Sequence, residues 1–192
     1  MRNYCFLILL PLFLAFPGCA YLSKITPDRL AAHSGFSWSA IDGDDIQTVP
    51  AAIRIEFNTN ELIQLSPKYG RLNIGIEAFG NSTIEPELGL LVGVAAMIKY
   101  SYDVNDILSL YLEGGAGPNY LSLGTYEQSK SGFNFYDQIG AGIELRPGPR
   151  SPHSLILGYR FGHISHAGLR SSRNRGIETD TIIFGFSTKF GD

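Results

Sequence analysis

Apolar and polar residues alternate along eight separate segments of this chain, and this two-residue period constrains the fold more than any other feature. Side chains of a β-strand point alternately to opposite faces, so each segment is predicted to be a strand with one apolar face. Turn-forming residues separate the segments, and residues 21–32 are predicted to form a short lead-in or a helical turn. The segments are residues 35–42, 50–58, 71–80, 89–103, 107–122, 133–146, 153–167 and 177–190.

Residues 1–20 have the layout of a secretory signal peptide, with Arg2, an apolar stretch from Cys5 to Phe16, and small residues before a cleavage point after Ala20. The apolar stretch is too short to span a membrane as a helix. Lipid attachment at Cys19 is the alternative, because Gly18-Cys19 resembles the end of a lipobox. We therefore expect residues 21–192 to form one exported domain.

Two kinds of closed barrel fit this alternation. A secreted lipocalin-like barrel would turn its apolar faces inward, whereas a transmembrane barrel turns them outward to lipid. The export signal, the even strand count and the aromatic residues near segment ends favour the second. The sequence therefore predicts an all-β, eight-stranded antiparallel up-and-down transmembrane β-barrel in the bacterial outer membrane. The net charge of −3 argues against nucleic acid as a partner. Association of two copies as a homodimer stays open.

Polar residues with catalytic potential continue the apolar row of the seventh segment. The row of Leu155, Leu157, Tyr159 and Phe161 leads into His163 and Ser165. The apolar row of the eighth segment, followed backwards, reaches Glu178. In an antiparallel hairpin with its loop centred near residue 170 or 171, His163 would lie opposite Glu178. A serine, a histidine and a carboxylate within mutual reach are the groups of an acyl-transfer triad.

Barrel topology predicts where this group lies. Both termini of such a barrel normally face the periplasm, so the connection between the last two strands is expected at the outer leaflet. Lipopolysaccharide there presents ester-linked acyl chains beside phosphorylated sugars. The connecting loop carries Arg170, Arg173 and Arg175, and arginine binds phosphate through paired hydrogen bonds. These three arginines are therefore candidate phosphate-binding residues.

The stretch GYRFGHISHAGL, followed by Asn174 and by Gly176-Ile177-Glu178, resembles the PagL-type lipid A 3-O-deacylases, which are outer-membrane esterases built as eight-stranded barrels. The resemblance covers mainly residues 158–178. It implies Ser165 as nucleophile, His163 as general base and Glu178 as the residue that orients the histidine. It also implies removal of the ester-linked 3-hydroxyacyl chain at position 3 of lipid A, with no metal or cofactor.

The chain departs from the family pattern in two ways. His166 stands where the family usually has an asparagine implicated in the oxyanion hole, and the stretch to Glu178 is one residue longer. Oxyanion stabilisation is then expected from His166, from Asn174 or from backbone N–H groups. The alternative to an enzyme is a non-catalytic outer-membrane barrel that serves adhesion or envelope stability.

Overall fold

Eight antiparallel strands form a closed barrel, in which each strand pairs with its neighbours in the chain and the last pairs with the first. The computed structural model describes residues 25–39, 46–85, 87–125, 131–169 and 176–190. The predicted fold class is confirmed. The strands are β1 (Thr26–Ser39), β2 (Gln47–Asn58), β3 (Arg71–Glu85), β4 (Gly89–Asp103), β5 (Leu108–Leu121), β6 (Gly132–Leu145), β7 (His153–Ser165) and β8 (Ile177–Lys189).

The connection between β2 and β3 holds the helical structure of the described residues. It contains a four-residue α-helix, α1 (Asn60–Ile63), and a 3-10 turn at Pro67–Tyr69. The hydroxyl of Thr59 and the backbone N–H of Thr59 both donate to the carbonyl of Leu72, which fixes this connection to the base of β3. Within the described ranges, no helix has the length and apolarity needed to cross a membrane.

The first strand begins earlier than the alternation suggests. β1 starts at Thr26, so the prediction of a lead-in or helical turn is wrong for the described residues up to 32. Pro27, Asp28 and Arg29 look like loop residues in sequence. In the barrel, an irregularity in register between Pro27 and Arg29 accommodates the proline, and Arg29 turns inward to pair with Glu144. β3 likewise extends beyond residue 80 to Glu85.

The apolar faces of the strands point out of the barrel, and charged side chains point into it. This arrangement is that of a membrane barrel, so the secreted lipocalin-like alternative is wrong. Outward apolar side chains that are well exposed occur on every strand and include Leu30, Ile53, Ile76, Ile98, Leu112, Ile139, Leu157 and Phe184. Buried charged side chains include Arg29, Arg54, Glu56, Glu77, Lys99, Glu113, Glu144 and Arg160.

Glu77 is the centre of the luminal ion-pair network. Its side chain is 0% exposed and accepts hydrogen bonds from Arg54 Nη2 at 2.6 Å and from Arg160 Nη1 at 2.9 Å, while His33 Nε2 lies 3.0 Å away. Arg54 also bonds Glu113 at 2.8 Å, which links β2 to β5 across the lumen. Charges this deeply buried are tolerated because each has partners of the opposite sign.

The kind of side chain that fills the lumen changes towards the end of the barrel where β7 connects to β8. There an apolar plug lies beside buried, uncharged polar side chains such as Thr83, Asn134 and Thr179. Tyr136 packs edge-on against Phe79, with ring centroids 5.3 Å apart. A luminal cavity among the charged groups has a volume of about 10 Å³, room for about one water molecule. The plug consists of Ile46, Ala52, Phe79, Leu91, Ala95, Met97, Leu121, Leu123, Tyr136, Ile164 and Ile177.

Replacing Glu77 with alanine should destabilise the barrel by about 3–5 kcal/mol, because Arg54 and Arg160 would keep buried charges without their shared partner. Urea unfolding of the barrel in lipid vesicles would measure this. Glu61→Ala, on the exposed surface of α1, is the control and should change stability by less than about 0.5 kcal/mol. Equal losses for the two variants would show that the network contributes nothing specific.

Candidate active site

The outward row of β7 passes from apolar to polar side chains near its last residues. Phe161, His163 and Ser165 are partly exposed, while Gly162 and Ile164 between them are buried on the inward side. This is the orientation that the sequence pattern predicts. His163 and Ser165 therefore share one face of the strand, with a spacing of about 6.5–7 Å between residues two apart.

His163 lies directly opposite Glu178 of β8. The Nδ1 atom of His163 is 3.9 Å from Oε1 of Glu178, and the two side chains are 35% and 34% exposed. This separation is an ion-pair distance but too long for a hydrogen bond. Because Nδ1 faces the carboxylate, Nε2 is the nitrogen left to act as a base towards another group. The structure thus brings His163 and Glu178 together as the sequence predicts.

A second carboxylate flanks His163 on its other side. Asp137 of β6 is the register partner of His163, belongs to the outward row, and interacts electrostatically with the imidazole. Asp137 was not identified from the sequence, because the prediction considered only the hairpin of β7 and β8. The signal that could have identified Asp137 is its place between Phe135 and Ile139, where it interrupts the apolar row of β6. A third outward carboxylate, Asp180, accepts a hydrogen bond from the Tyr159 hydroxyl. Within the described ranges, no cluster of three His, Cys, Asp or Glu side chains is arranged to hold a metal ion.

A tight turn follows Ser165 and fixes the end of β7. The N–H of Leu169 donates to the carbonyl of His166 at 2.9 Å, and the two central residues, Ala167 and Gly168, have φ of 50° and 75°. Positive φ at both central positions is typical of a type I′ turn. His166 itself is 0% exposed and belongs to the inward row. The structure therefore does not place the His166 imidazole on the outward face with Ser165, and its oxyanion role stays a prediction.

The backbone of Gly176 covers one edge of the His163 ring. A Cβ atom at residue 176 would lie 2.3 Å from Cε1 of His163, 3.0 Å from Nε2 and 3.1 Å from Nδ1. Gly176 is buried immediately before β8 and has φ of 84°. The imidazole thus occupies space that a side chain at residue 176 would fill. Asn174, Arg170, Arg173 and Arg175 lie outside the described residues, so their predicted roles stay predictions.

The barrel wall behind the site is closed from inside by Tyr136. A Cβ at Gly162 would lie 2.4 Å from the Tyr136 ring, so the absence of a side chain there lets the ring lie against β7. Aromatic side chains also mark the outward surface at this end. Ser165 is paired with Phe135, and Asp180 with Trp38. Because aromatic girdles of membrane barrels lie at the membrane–water interface, the site is at interface depth.

This chain is similar to known proteins in both sequence and structure. Residues 52–187 match the family described as lipid A 3-O-deacylase (PagL). The crystal structure of the outer membrane enzyme PagL superimposes with a TM-score of 0.63 at 21% identity, covering 82% of this chain and 97% of that one. The structure of Neisserial surface protein A superimposes with a TM-score of 0.57 at 14% identity, covering 85% and 96%. Among curated proteins, no sequence match was found.

The outward orientation of Ser165 can be tested by thiol labelling. A chain that begins at residue 21 contains no cysteine, so Ser165→Cys introduces a single thiol. We expect a membrane-soluble maleimide to label the folded barrel at residue 165 at least about tenfold faster than at residue 154. Ser154→Cys is the matched control because Ser154 lies on the same strand but is inward-facing and 2% exposed. Mass spectrometry measures the labelling; equal rates would contradict the assigned face.

Proposed function

Because the chain belongs to the lipid A 3-O-deacylase (PagL) family, we propose that it is an outer-membrane ester hydrolase that removes the ester-linked 3-hydroxyacyl chain from position 3 of lipid A. The observation that carries this proposal is the pairing of His163 with Glu178 across β7 and β8. Ser165 stands in the same outward row, so a nucleophile, a base and a carboxylate face the membrane together.

The proposed reaction has two steps. His163 Nε2 takes the proton of the Ser165 hydroxyl while Oγ attacks the ester carbonyl carbon, and the tetrahedral intermediate collapses with cleavage of the bond to the sugar oxygen. His163 then gives that proton to the departing sugar oxygen, which leaves as a hydroxyl. In the second step His163 takes a proton from water as the water oxygen attacks the acyl-serine carbonyl, and it returns that proton to Ser165 Oγ as the acyl–oxygen bond breaks. The products are a 3-hydroxy fatty acid and 3-O-deacylated lipid A.

Carboxylates flank the imidazole from both neighbouring strands. Glu178 faces Nδ1 and would hold the ring so that Nε2 carries the lone pair towards Ser165. Asp137 adds negative charge from the β6 side. Both charges would stabilise the imidazolium that forms as Ser165 loses its proton. The carboxylates thus act on the base, not on the ester.

The depth of the site suits the position of the scissile bond in the substrate. The 3-O ester of lipid A lies where the sugar headgroup meets the acyl chains, and the site lies at the interface level marked by Phe135 and Trp38. A lipid molecule diffusing in the leaflet can therefore reach Ser165 without leaving the membrane. Arg170, Arg173 and Arg175 would bind the sugar phosphates above it.

Stabilisation of the oxyanion has three candidate donors in this proposal. They are the side chain of Asn174, the side chain of His166, and backbone N–H groups of the turn after Ser165. The burial of His166 in the inward row favours the backbone groups and Asn174 over the His166 imidazole. The turn supports backbone donation because it holds the main chain that directly follows the nucleophile in one conformation.

Ser165→Ala and His163→Ala should each reduce deacylation by roughly 10³-fold or more, since one removes the nucleophile and the other its base. Mass spectrometry of lipid A from cells expressing each variant measures the loss of the 3-hydroxyacyl chain. His153→Ala is the control, because His153 is exposed at the opposite end of β7. Full activity of Ser165→Ala, with the barrel folded, would eliminate Ser165 as nucleophile.

Glu178→Ala should retain more activity than either of those variants, by about one to two orders of magnitude, because an orienting carboxylate contributes less than the base it orients. Asp137 also remains beside His163 in that variant. Initial rates on purified lipid A in detergent would measure the difference. A loss as complete as that of His163→Ala would mean that Glu178 does more than orient the ring.

A further inference from the structure

We propose that Gly176 is a positioning residue for catalysis, because its lack of a side chain creates the seat in which the His163 imidazole lies. The inference rests on the proposed function, since it assigns His163 the role of base. The seat is formed by the backbone at the start of β8, two residues before Glu178. One short segment would therefore provide both the surface against which the ring packs and the carboxylate that faces Nδ1.

Any side chain at residue 176 would require the His163 imidazole to move. A Cβ at residue 176 would approach Cε1 of His163 to 2.3 Å, well inside van der Waals contact. Cε1 lies between the two ring nitrogens, so pushing on this edge displaces Nδ1 from Glu178 and Nε2 from the position of a base. The neighbour that must give way is the imidazole, because the other partner is main chain. The ring shift that would relieve a 2.3 Å contact is large compared with the error in donor and acceptor positions that a proton transfer tolerates.

Backbone conformation by itself already favours glycine at residue 176, so the contact with His163 needs a control variant that carries strain of the same kind. Gly176 has φ of 84°, which disfavours a side chain, and Gly168 in the turn after β7 has a similar φ of 75°. A Cβ at Gly168, however, would have no atom within 4 Å. Ala167 already adopts a φ of 50° in that turn. Gly168→Ala therefore adds positive-φ strain without contact with the imidazole, and it is the control for stability. It does not serve as the control for kinetics, because Gly168 lies in the turn proposed to supply oxyanion donors.

Steady-state kinetics on lipid A in mixed micelles tests the proposal with Gly176→Ala and with Gly70→Ala as its control. We expect Gly176→Ala to lower kcat at least tenfold with KM changed less than twofold, because the ring moves while the lipid-binding surface does not. Gly70→Ala places a side chain at a φ of 112° just before β3, at the other end of the barrel, and should keep kcat within twofold of the unchanged protein. Equal kcat values for the two variants would overturn the proposal, whether both fall or neither does.

A stability measurement tests the contact without relying on activity. The urea midpoint should fall further for Gly176→Ala than for Gly168→Ala, because only the first variant adds a clash to the strain. In a His163→Ala background the ring is absent, so the midpoint shift caused by Gly176→Ala should shrink to that caused by Gly168→Ala. An unchanged shift in that background would overturn the proposed seat.

These measurements separate the inference from the proposed function. If Ser165→Ala retains activity, the proposed function fails, while the stability cycle still reports whether Gly176 seats the ring. If Gly176→Ala alone does not fold, folding of the His163→Ala/Gly176→Ala double variant supports the seat. A double variant that also fails to fold would assign the glycine to backbone conformation and overturn the inference.

Discussion

Strand register is the constraint on which the site depends. His163 faces Glu178 only in the observed pairing of β7 with β8, and a shift of one residue would move Glu178 to the inside of the barrel. The lumen helps to hold this register. Arg160 of β7 forms ion pairs with Glu77 of β3 and Glu113 of β5. Moving β7 along its neighbours would leave the buried charge of Arg160 without these partners. β7 therefore carries both an inward residue that fixes its register, Arg160, and the outward residue whose position depends on that register, His163.

The site lies where the outward surface of the barrel passes from membrane hydrocarbon to water. Polar side chains in the middle of the outward surface would lack partners in hydrocarbon, but His163 and Glu178 lie near the ends of their strands and partner each other. The interior beneath them includes the apolar plug, with Tyr136 closing the wall behind Gly162. The charged groups that face the imidazole from the neighbouring strands are the carboxylates of Asp137 and Glu178 on the outer surface.

Alternation in the sequence predicted the strand number, the outward orientation of the apolar faces, and the facing of His163 by Glu178, because each follows from a two-residue period and a hairpin. It failed at β1, where Pro27, Asp28 and Arg29 resemble a loop unless their luminal partner Glu144 is known. Two features of the site were not predicted, although Asp137 left a signal where it interrupts the apolar row of β6. That Asp137 faces His163 follows only once the register of β6 with β7 is known. The contact of Gly176 with His163 depends on main-chain and side-chain positions that a two-residue period does not encode.

The filled lumen has an electrical consequence for the cell. Among the described residues, ion pairs, uncharged polar side chains and the apolar plug together fill the interior, and the cavity among the charged groups has room for about one water molecule. The described part of the barrel is therefore packed with side chains, as in other small barrels, and differs from the water-filled channel of a porin. We expect planar bilayers that contain the purified barrel to show no porin-like conductance steps.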